Sequence, residues 1–270
     1  MEEGDHHRFL ACQGGRREAQ NERMRRIPSF VVLGVLVLCQ STLGEDQIRL
    51  KSGEVLRGTA TKFDEGSMTL TFKFDKGTLG YNQADLAEVT LAERPGVVEG
   101  RKAFAEGNLD EVVTNWKGPV GEFIGVDSPW VLECTGGLGQ TYLAQGKVAE
   151  AEALYGKMKK FYPTGPAALR ADVGLAEATS GRDVDGLLKK LDELKGQLKE
   201  SLRPLRADRE GLAEFYFSRG GAYEKKGEVK KALEDYLRVS ALYPDPPSLG
   251  QRAEKKAQAL RLANKDLVTD

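Results

Sequence analysis

The glycine-rich run at 136–139 (Gly-Gly-Leu-Gly) is a stretch whose residue types suggest chemistry, because glycine-rich loops hold phosphate groups. A phosphate-binding loop also needs a Lys followed by Ser or Thr at a fixed spacing. Lys147 follows Gly146, but no Ser or Thr comes after it. We therefore interpret these glycines as positions where helices pack closely, and we predict no nucleotide or other cofactor.

The acidic residues do not form a pattern that would hold a metal ion. Asp183, Asp185 and Asp192 lack the spacing of a calcium-binding loop. Glu150 and Glu152 fall on a predicted helix, where we expect solvent to surround them. The sequence therefore predicts no metal site at these residues, and Glu150 and Glu152 are not predicted to act as a catalytic pair.

Histidine and cysteine are scarce. Both histidines, His6 and His7, lie near the N-terminus, and cleavage after Gly44 would remove them. Cys134 would then be the remaining thiol, and its place on an apolar helix predicts burial rather than reactivity. These observations argue against serine or cysteine triads and against most zinc sites, so no catalytic residue is predicted.

Residues 1–44 are predicted to be an N-terminal extension and a signal peptide. A basic start at Met24, which is a possible true start, precedes an apolar run at 30–38 and small residues up to Gly44. This order is typical of a secretory signal, and the run is short for a membrane span. The pattern predicts export to a periplasm or cell envelope.

Two alternatives for this segment remain open. The apolar run is kept as an N-terminal anchor in one of them, and Cys39 carries a lipid in the other. Contact with a membrane is expected only through this segment. The net charge of −1 over 270 residues gives no reason to expect nucleic acid as a partner.

Residues 47–93 are predicted to form a small β module. Apolar and polar residues alternate at period two, and turn signals divide the stretch into about five short strands. The segment 50–58 (LKSGEVLRG) resembles the opening hairpin of SH3-like and Sm-like barrels. An Sm-like resemblance would imply RNA, but the basic and aromatic residues for RNA contact are not evident. We interpret this module as a structural or docking unit that packs on the rest of the chain.

From residue 97 the apolar period becomes helical, and one sparse pattern occurs twice. The first copy consists of Gly139, Tyr142, Gly146, Ala151, Tyr155 and Pro163. The second copy consists of Gly220, Tyr223, Gly227, Ala232, Tyr236 and Pro244. The intervals match one for one, and self-similarity over about 34 residues indicates stacked helix pairs.

These positions resemble the signature of the tetratricopeptide repeat (TPR) family. The resemblance implies helical hairpins in which Gly139 and Gly220 allow close approach and in which Gly146 and Gly227 end the first helix. It also implies that the tyrosines fill the space between units. The fold class that we predict is mostly α, a TPR-like α-solenoid at 97–265 preceded by the small β-barrel or β-sheet module.

Two weaker copies fill the gaps between these units. One consists of Gly100, Ala103, Gly107, Leu109, Val112 and Trp116, and the other of Val173, Gly174, Gly181, Val184 and Leu187. A leucine stripe follows at positions 187, 191, 194, 198, 202 and 205. We interpret the stripe as an elongated second helix that breaks near Pro204, with a coiled-coil dimer seam as the alternative.

A last helix is predicted after Pro246 and Pro247, with Ser248 as its N-cap. Its narrow apolar face consists of Leu249, Ala253, Ala257 and Leu260. We expect Lys255, Lys256 and Arg261 to point away from that face. The pattern is typical of a capping helix at the end of a helical stack.

The TPR resemblance implies that the first helices of successive pairs line a concave groove for a peptide or a partner helix. By template position, the groove residues are Gln140, Leu143, Phe217, Gly221, Glu224 and Lys225. An exposed Phe217 would suit a peptide with one apolar anchor, and the alternative is contact of Phe217 with the insertion helix. The TPR family's basic carboxylate clamp is not recognisable.

These patterns favour a non-enzymatic adaptor of the cell envelope that binds a protein or peptide partner. Two other classes remain open at the level of sequence. One is an envelope hydrolase that uses a carboxylate pair, which would require two carboxyl groups about 5–10 Å apart in one cleft. The other is a structural protein that self-assembles through the leucine stripe or a sheet edge.

Overall fold

The computed structural model describes residues 44–196, Leu198 and residues 206–265 of the chain. The signal peptide prediction for residues 1–44 therefore lies almost entirely outside the described residues. Within them, the chain forms five strands, one 3-10 turn and nine α-helices. The strands are β1 (Asp46–Leu50), β2 (Val55–Asp64), β3 (Thr69–Phe74), β4 (Gly77–Asn82) and β5 (Leu86–Thr90).

The strands form one antiparallel sheet in the order β4-β3-β2-β1-β5. Ile48 on strand β1 faces Leu56 of β2 and Val89 of β5, so apolar residues line one face of the sheet. The 3-10 turn at Gln83–Asp85 lies between β4 and β5. Five strands in this stretch agree with the prediction from alternation.

The sheet packs directly on the helices. The ring centroids of Phe63 on β2 and Phe161 lie 5.9 Å apart, and the Trp130 indole donates a hydrogen bond to the Leu91 carbonyl at 3.2 Å. The Gln83 side-chain amide donates to the Gly125 carbonyl at 2.9 Å. Because so small a sheet buries little apolar surface alone, this shared core stabilises it.

The helices form four antiparallel pairs and one last helix. The pairs are α1 (Val97–Glu106) with α2 (Leu109–Phe123), α3 (Pro129–Ala144) with α4 (Val148–Phe161), α5 (Gly165–Ser180) with α6 (Val184–Lys195), and α7 (Arg206–Lys226) with α8 (Val229–Leu242). The last helix is α9 (Pro247–Ala263). The chain is thus mostly α, with a TPR-like stack of helical hairpins after the sheet.

A glycine on the first helix faces an aromatic ring from the second helix of the pair. A Cβ built on Gly139 would lie 2.5 Å from the Tyr155 ring, and one on Gly220 would lie 3.1 Å from the Tyr236 ring. Trp116 lies against Gly100 in the same way, so the first weaker copy has the same glycine–ring packing as the two strong copies. The glycines therefore make room for rings, which refines the expectation that they bring two backbones together.

Gly146 and Gly227 follow the first helices of their pairs with φ of 74° and 79°. Only glycine adopts this left-handed conformation without a steric penalty, so the helix ends there and the chain reverses. Gly107 and Gly181 hold positive φ at the same place in the two weaker copies. Gly107, Gly146 and Gly227 therefore end their helices with the same pair of backbone hydrogen bonds, whereas Gly181 has a different ψ of −115°.

The leucine stripe is shorter as a helix than predicted. Helix α6 ends at Lys195, and Leu198 is not helical. The reason is Gly196, which has low helix propensity, and the turn closed by the Leu198 amide on the Lys195 carbonyl at 3.0 Å. Leu187 and Leu191 lie in the core, so they do not form a dimer seam, and positions 202 and 205 lie outside the described residues.

Candidate partner-binding groove

The first helices of the four pairs form the inner layer of the stack. Helices α1, α3, α5 and α7 contact one another in sequence order, and we define their common surface as the inner face. This face carries charged and polar side chains at positions that are buried. They are Glu133, Gln140, Arg170, Glu214 and Ser218.

Arg170 on α5 is the centre of this polar network and is 3% exposed. Its Nη2 atom donates to Glu214 of α7 at 2.9 Å, and the Gln140 side-chain amide of α3 donates to the second oxygen of that carboxylate. Burial alone would lower the pKa of Arg170, but the nearby Glu214 and Glu210 carboxylates raise it. Arg170 therefore stays charged and ties three inner helices together.

Glu177 on α5 lies in the same network. Its carboxylate accepts a hydrogen bond from the Ser218 hydroxyl of α7 at 3.1 Å. Burial raises the pKa of Glu177 above its ordinary value of 4.5, and the charge of Lys225 opposes that shift. The nearby Glu214 carboxylate also raises the pKa of Glu177, so two acidic groups of the inner face lie close to each other.

Helix α9 lies against this inner face. It packs on α8, and it also contacts α1 at the opposite end of the stack. The Arg252 guanidinium lies 4.6 Å from the ring centroid of Phe104 on α1 and 5.4 Å from that of Phe217 on α7. Its Nη1 atom donates to the Gln140 side-chain oxygen at 3.4 Å. One side chain of α9 thus reaches three inner helices.

Two further polar contacts seat α9. The Ser248 hydroxyl donates to Glu133 of α3 at 2.8 Å. The Lys256 amine donates to Glu224 of α7 at 3.1 Å, and the Tyr236 hydroxyl donates to the same carboxylate at 2.7 Å. Ser248 lies inside the helix, and Pro246 is the N-cap, so the predicted N-cap is wrong. Lys256 was expected to point away and instead faces the inner layer.

The structure places three of the six predicted groove residues against α9. Gln140, Phe217 and Glu224 contact side chains of α9. Phe217 is partly buried against Tyr236, with ring centroids 5.5 Å apart, so the expectation of an exposed Phe217 is wrong. Phe217 also contacts Arg252 of α9.

The other three predicted residues differ in exposure. Leu143 and Gly221 are partly buried, and Lys225 is exposed. No partner is present, so the binding role of all six residues stays a prediction. Arg170, Glu214 and Arg252 were not predicted, because a charged residue on a helical repeat is normally assigned to solvent. The small residues Ala253 and Ala257 were the available signal, since they indicate a close neighbour for α9.

The residues that first suggested chemistry have structural roles here. Gly136 makes room for Arg170 and Glu214, and Cys134 is fully buried, which raises the pKa of its thiol.

Asp183 caps α6 by accepting from the Gly186 amide at 2.9 Å. Asp185 forms an ion pair with Lys226 at 2.7 Å. Across the described residues, no group of three or more His, Cys, Asp or Glu side chains is arranged to hold a metal ion.

The chain is similar to two crystal structures of nearly identical TPR-like repeats from a Podosopora anserina protein described as a putative kinesin light chain. The first is 20% identical, and the match covers 63% of this chain and 86% of that chain with a TM-score of 0.34. The second, a substituted form of the same repeats, is 18% identical, and the match covers 63% and 95% with a TM-score of 0.33. No protein-family model and no curated protein matches the sequence.

The TPR-like architecture of this chain therefore rests on its own helix pairs and on their glycine–ring contacts. In the part of the chain that the structure describes, no helix is both long enough and apolar enough to cross a membrane.

Proposed function

We propose that this protein is a non-enzymatic interaction scaffold of a cell envelope. The observation that carries the proposal is the inner face, where stacked helices present buried charges and aromatic rings to a helix lying across them. A helical stack that holds another helix in this way has the geometry of helix-in-groove recognition. The chemistry of the described residues fits binding because the buried carboxylates Glu133 and Glu214 are held by hydrogen bonds.

Location in the envelope is the second part of the proposal. It is supported by the basic start and apolar run within residues 1–44, which are typical of a secretory signal. The β module is proposed to act as an SH3-like support for the first helix pair. The strand order and the 3-10 turn before β5 support that comparison.

The test is co-purification from the native host. The protein lacking residues 1–44 is used as bait for envelope proteins, and mass spectrometry identifies what is retained. The partner should be lost with Phe217→Ala, which alters the centre of the inner face, and with Lys225→Glu at its margin. Lys230→Glu makes the same charge change at an exposed position of the outer helix α8 and should retain the partner. If all three variants retain the partner, the proposal that the partner binds in the groove is rejected.

A further inference from the structure

We propose that α9 is an exchangeable internal occupant of the groove and that its chemistry defines the partner. The partner is then a helix with two basic side chains four residues apart, beside a seam of small residues. This inference deepens the proposed function and depends on it for the existence of a partner. The argument uses the seam of α9, the charge of the inner face and the incomplete pairing of Arg252.

The seam of α9 is built for close approach. Ala253 and Ala257 are four residues apart and are 0% and 1% exposed. Arg252 and Lys256 precede them by one position each, so both basic side chains lie along the same edge of the seam. Any helix with small residues at the positions of Ala253 and Ala257 and basic residues at the positions of Arg252 and Lys256 would present the same surface.

The inner face is complementary to that surface in charge. Of its carboxylates near α9, Glu133 and Glu214 are paired with Arg101 and Arg170 of the inner helices. Glu177 and Glu224 face the basic groups of Arg252 and Lys256. Phe104 and Phe217 provide ring faces for the guanidinium. A basic helix is therefore favoured over an acidic or purely apolar one.

The pairing of Arg252 is incomplete, which favours exchange. Within the described part of the chain, no carboxylate oxygen forms an ion pair with it, and its hydrogen bond to Gln140 is 3.4 Å long. Burial lowers the pKa of Arg252 because the nearby carboxylates compensate the lost hydration only in part. A partner helix whose basic group reaches Glu177 would bind at the same position with better pairing, since both oxygens of Glu214 already accept from Arg170 and Gln140.

The short connection between α8 and α9 sets how competition is measured. Residues 243–246 join the two helices, so α9 acts as a tethered ligand with an effective concentration of about millimolar order. A free helix of equal affinity would need a similar concentration to displace it. Weakening the tethered copy lowers that requirement, which makes the exchange measurable.

The experiment uses the full chain and a fluorescein-labelled synthetic peptide. The peptide copies residues 246–264. Binding is followed by fluorescence anisotropy for the wild type and for the Arg252→Ala/Lys256→Ala double variant. The double variant should bind the peptide at least about tenfold more tightly, because its own α9 competes less well. A peptide with Glu at both basic positions should not bind.

The matched control is Lys255→Ala/Arg261→Ala, which removes the same charge from exposed positions of α9 and should leave peptide affinity unchanged. Circular dichroism verifies folding. If the double variant does not fold, Lys256→Ala decides, because this side chain is 43% exposed and its loss should still tighten peptide binding about threefold.

Equal peptide affinity for the wild type and the folded variant would overturn the inference, as would the lack of binding to both. If the wild type forms a dimer that the double variant does not form, the inner face binds a second copy of the chain. That result would also overturn the inference. Failure of the peptide test with a successful co-purification leaves the scaffold proposal standing. If the peptide displaces α9 but no partner co-purifies, the scaffold proposal is rejected. The inference that α9 can be displaced from the inner face then still holds.

Discussion

Tyr155 shows how single residues hold the helical stack together. Its ring lies between Gly139 of α3 and Gly174 of α5, and its hydroxyl donates to the Gly136 carbonyl at 3.2 Å. One side chain from α4 therefore packs against the first helices of two successive pairs. The ring is 2% exposed, and its burial raises the pKa of the hydroxyl well above its ordinary value.

Gly139→Ala should destabilise the protein by about 1–3 kcal/mol, because the new methyl group would overlap the buried Tyr155 ring. The measurement is the free energy of unfolding in urea. Gly156→Ala on α4 is the control, since a Cβ there meets no atom within 4 Å and should stabilise the helix by about 0.5–1 kcal/mol. Equal effects of the two substitutions would contradict the ring-packing role.

Glu177→Gln should increase stability at about pH 7 and lose that advantage at about pH 4. Because the folded state raises the pKa of Glu177, it retains a proton that the unfolded state releases above 4.5. The free energy of unfolding of the wild type therefore falls as pH rises through this range, and Gln removes that dependence. Thermal unfolding at several pH values measures the difference, with exposed Glu150→Gln as the control for loss of one charge. A difference in unfolding free energy between Glu177→Gln and the wild type that stays constant across the pH range would contradict the raised pKa of Glu177.

Between elements, the strongest local connection is that of Asp46 at the start of β1. This residue is 2% exposed and accepts hydrogen bonds from the Ala60 and Ala92 amides, both at 2.7 Å. The Arg94 guanidinium donates to it at 2.7 Å and lies 4.6 Å from the Phe123 ring centroid. Asp46 thus connects two strands to the segment that enters the helices.

Asp46→Ala should reduce the free energy of unfolding by about 3–5 kcal/mol, since it leaves Arg94 and two amides without their partner. Urea unfolding measures the loss. Glu65→Ala removes the exposed ion pair with Lys157, which also joins the sheet to the helices, and should cost less than about 1 kcal/mol. A loss below about 1 kcal/mol for Asp46→Ala would show that the connection is not structural.

The elements were predictable where local chemistry decides them. Gly146 and Gly227 end helices because of their backbone freedom, and the alternation in 47–93 leads to strands. The seat of α9 was not predictable, because it depends on how far the stack curves before the last helix meets α1. The prediction for Phe217 was wrong for the same reason, since its exposure is set by a helix 30 or more residues away in the chain.

At the scale of the whole molecule, the last helix returns to the first pair and covers the inner face. Contacts of α9 with α1, α3 and α7 make it part of the groove as well as a cap on α8. The candidate site of this chain is therefore a surface that α9 covers in part. The exchange proposal predicts that a binding partner supplies what α9 supplies, namely small residues and two basic groups.

Hydrogen exchange of the full chain tests this account most directly. With a large excess of the peptide that copies residues 246–264, amides of α9 in the Arg252→Ala/Lys256→Ala chain should exchange faster, because the displaced helix loses its packing. Amides of α4, which lies away from α9, should be unaffected. Unchanged exchange in α9 at peptide concentrations of about millimolar order would contradict the account and would show that α9 is a permanent part of the fold.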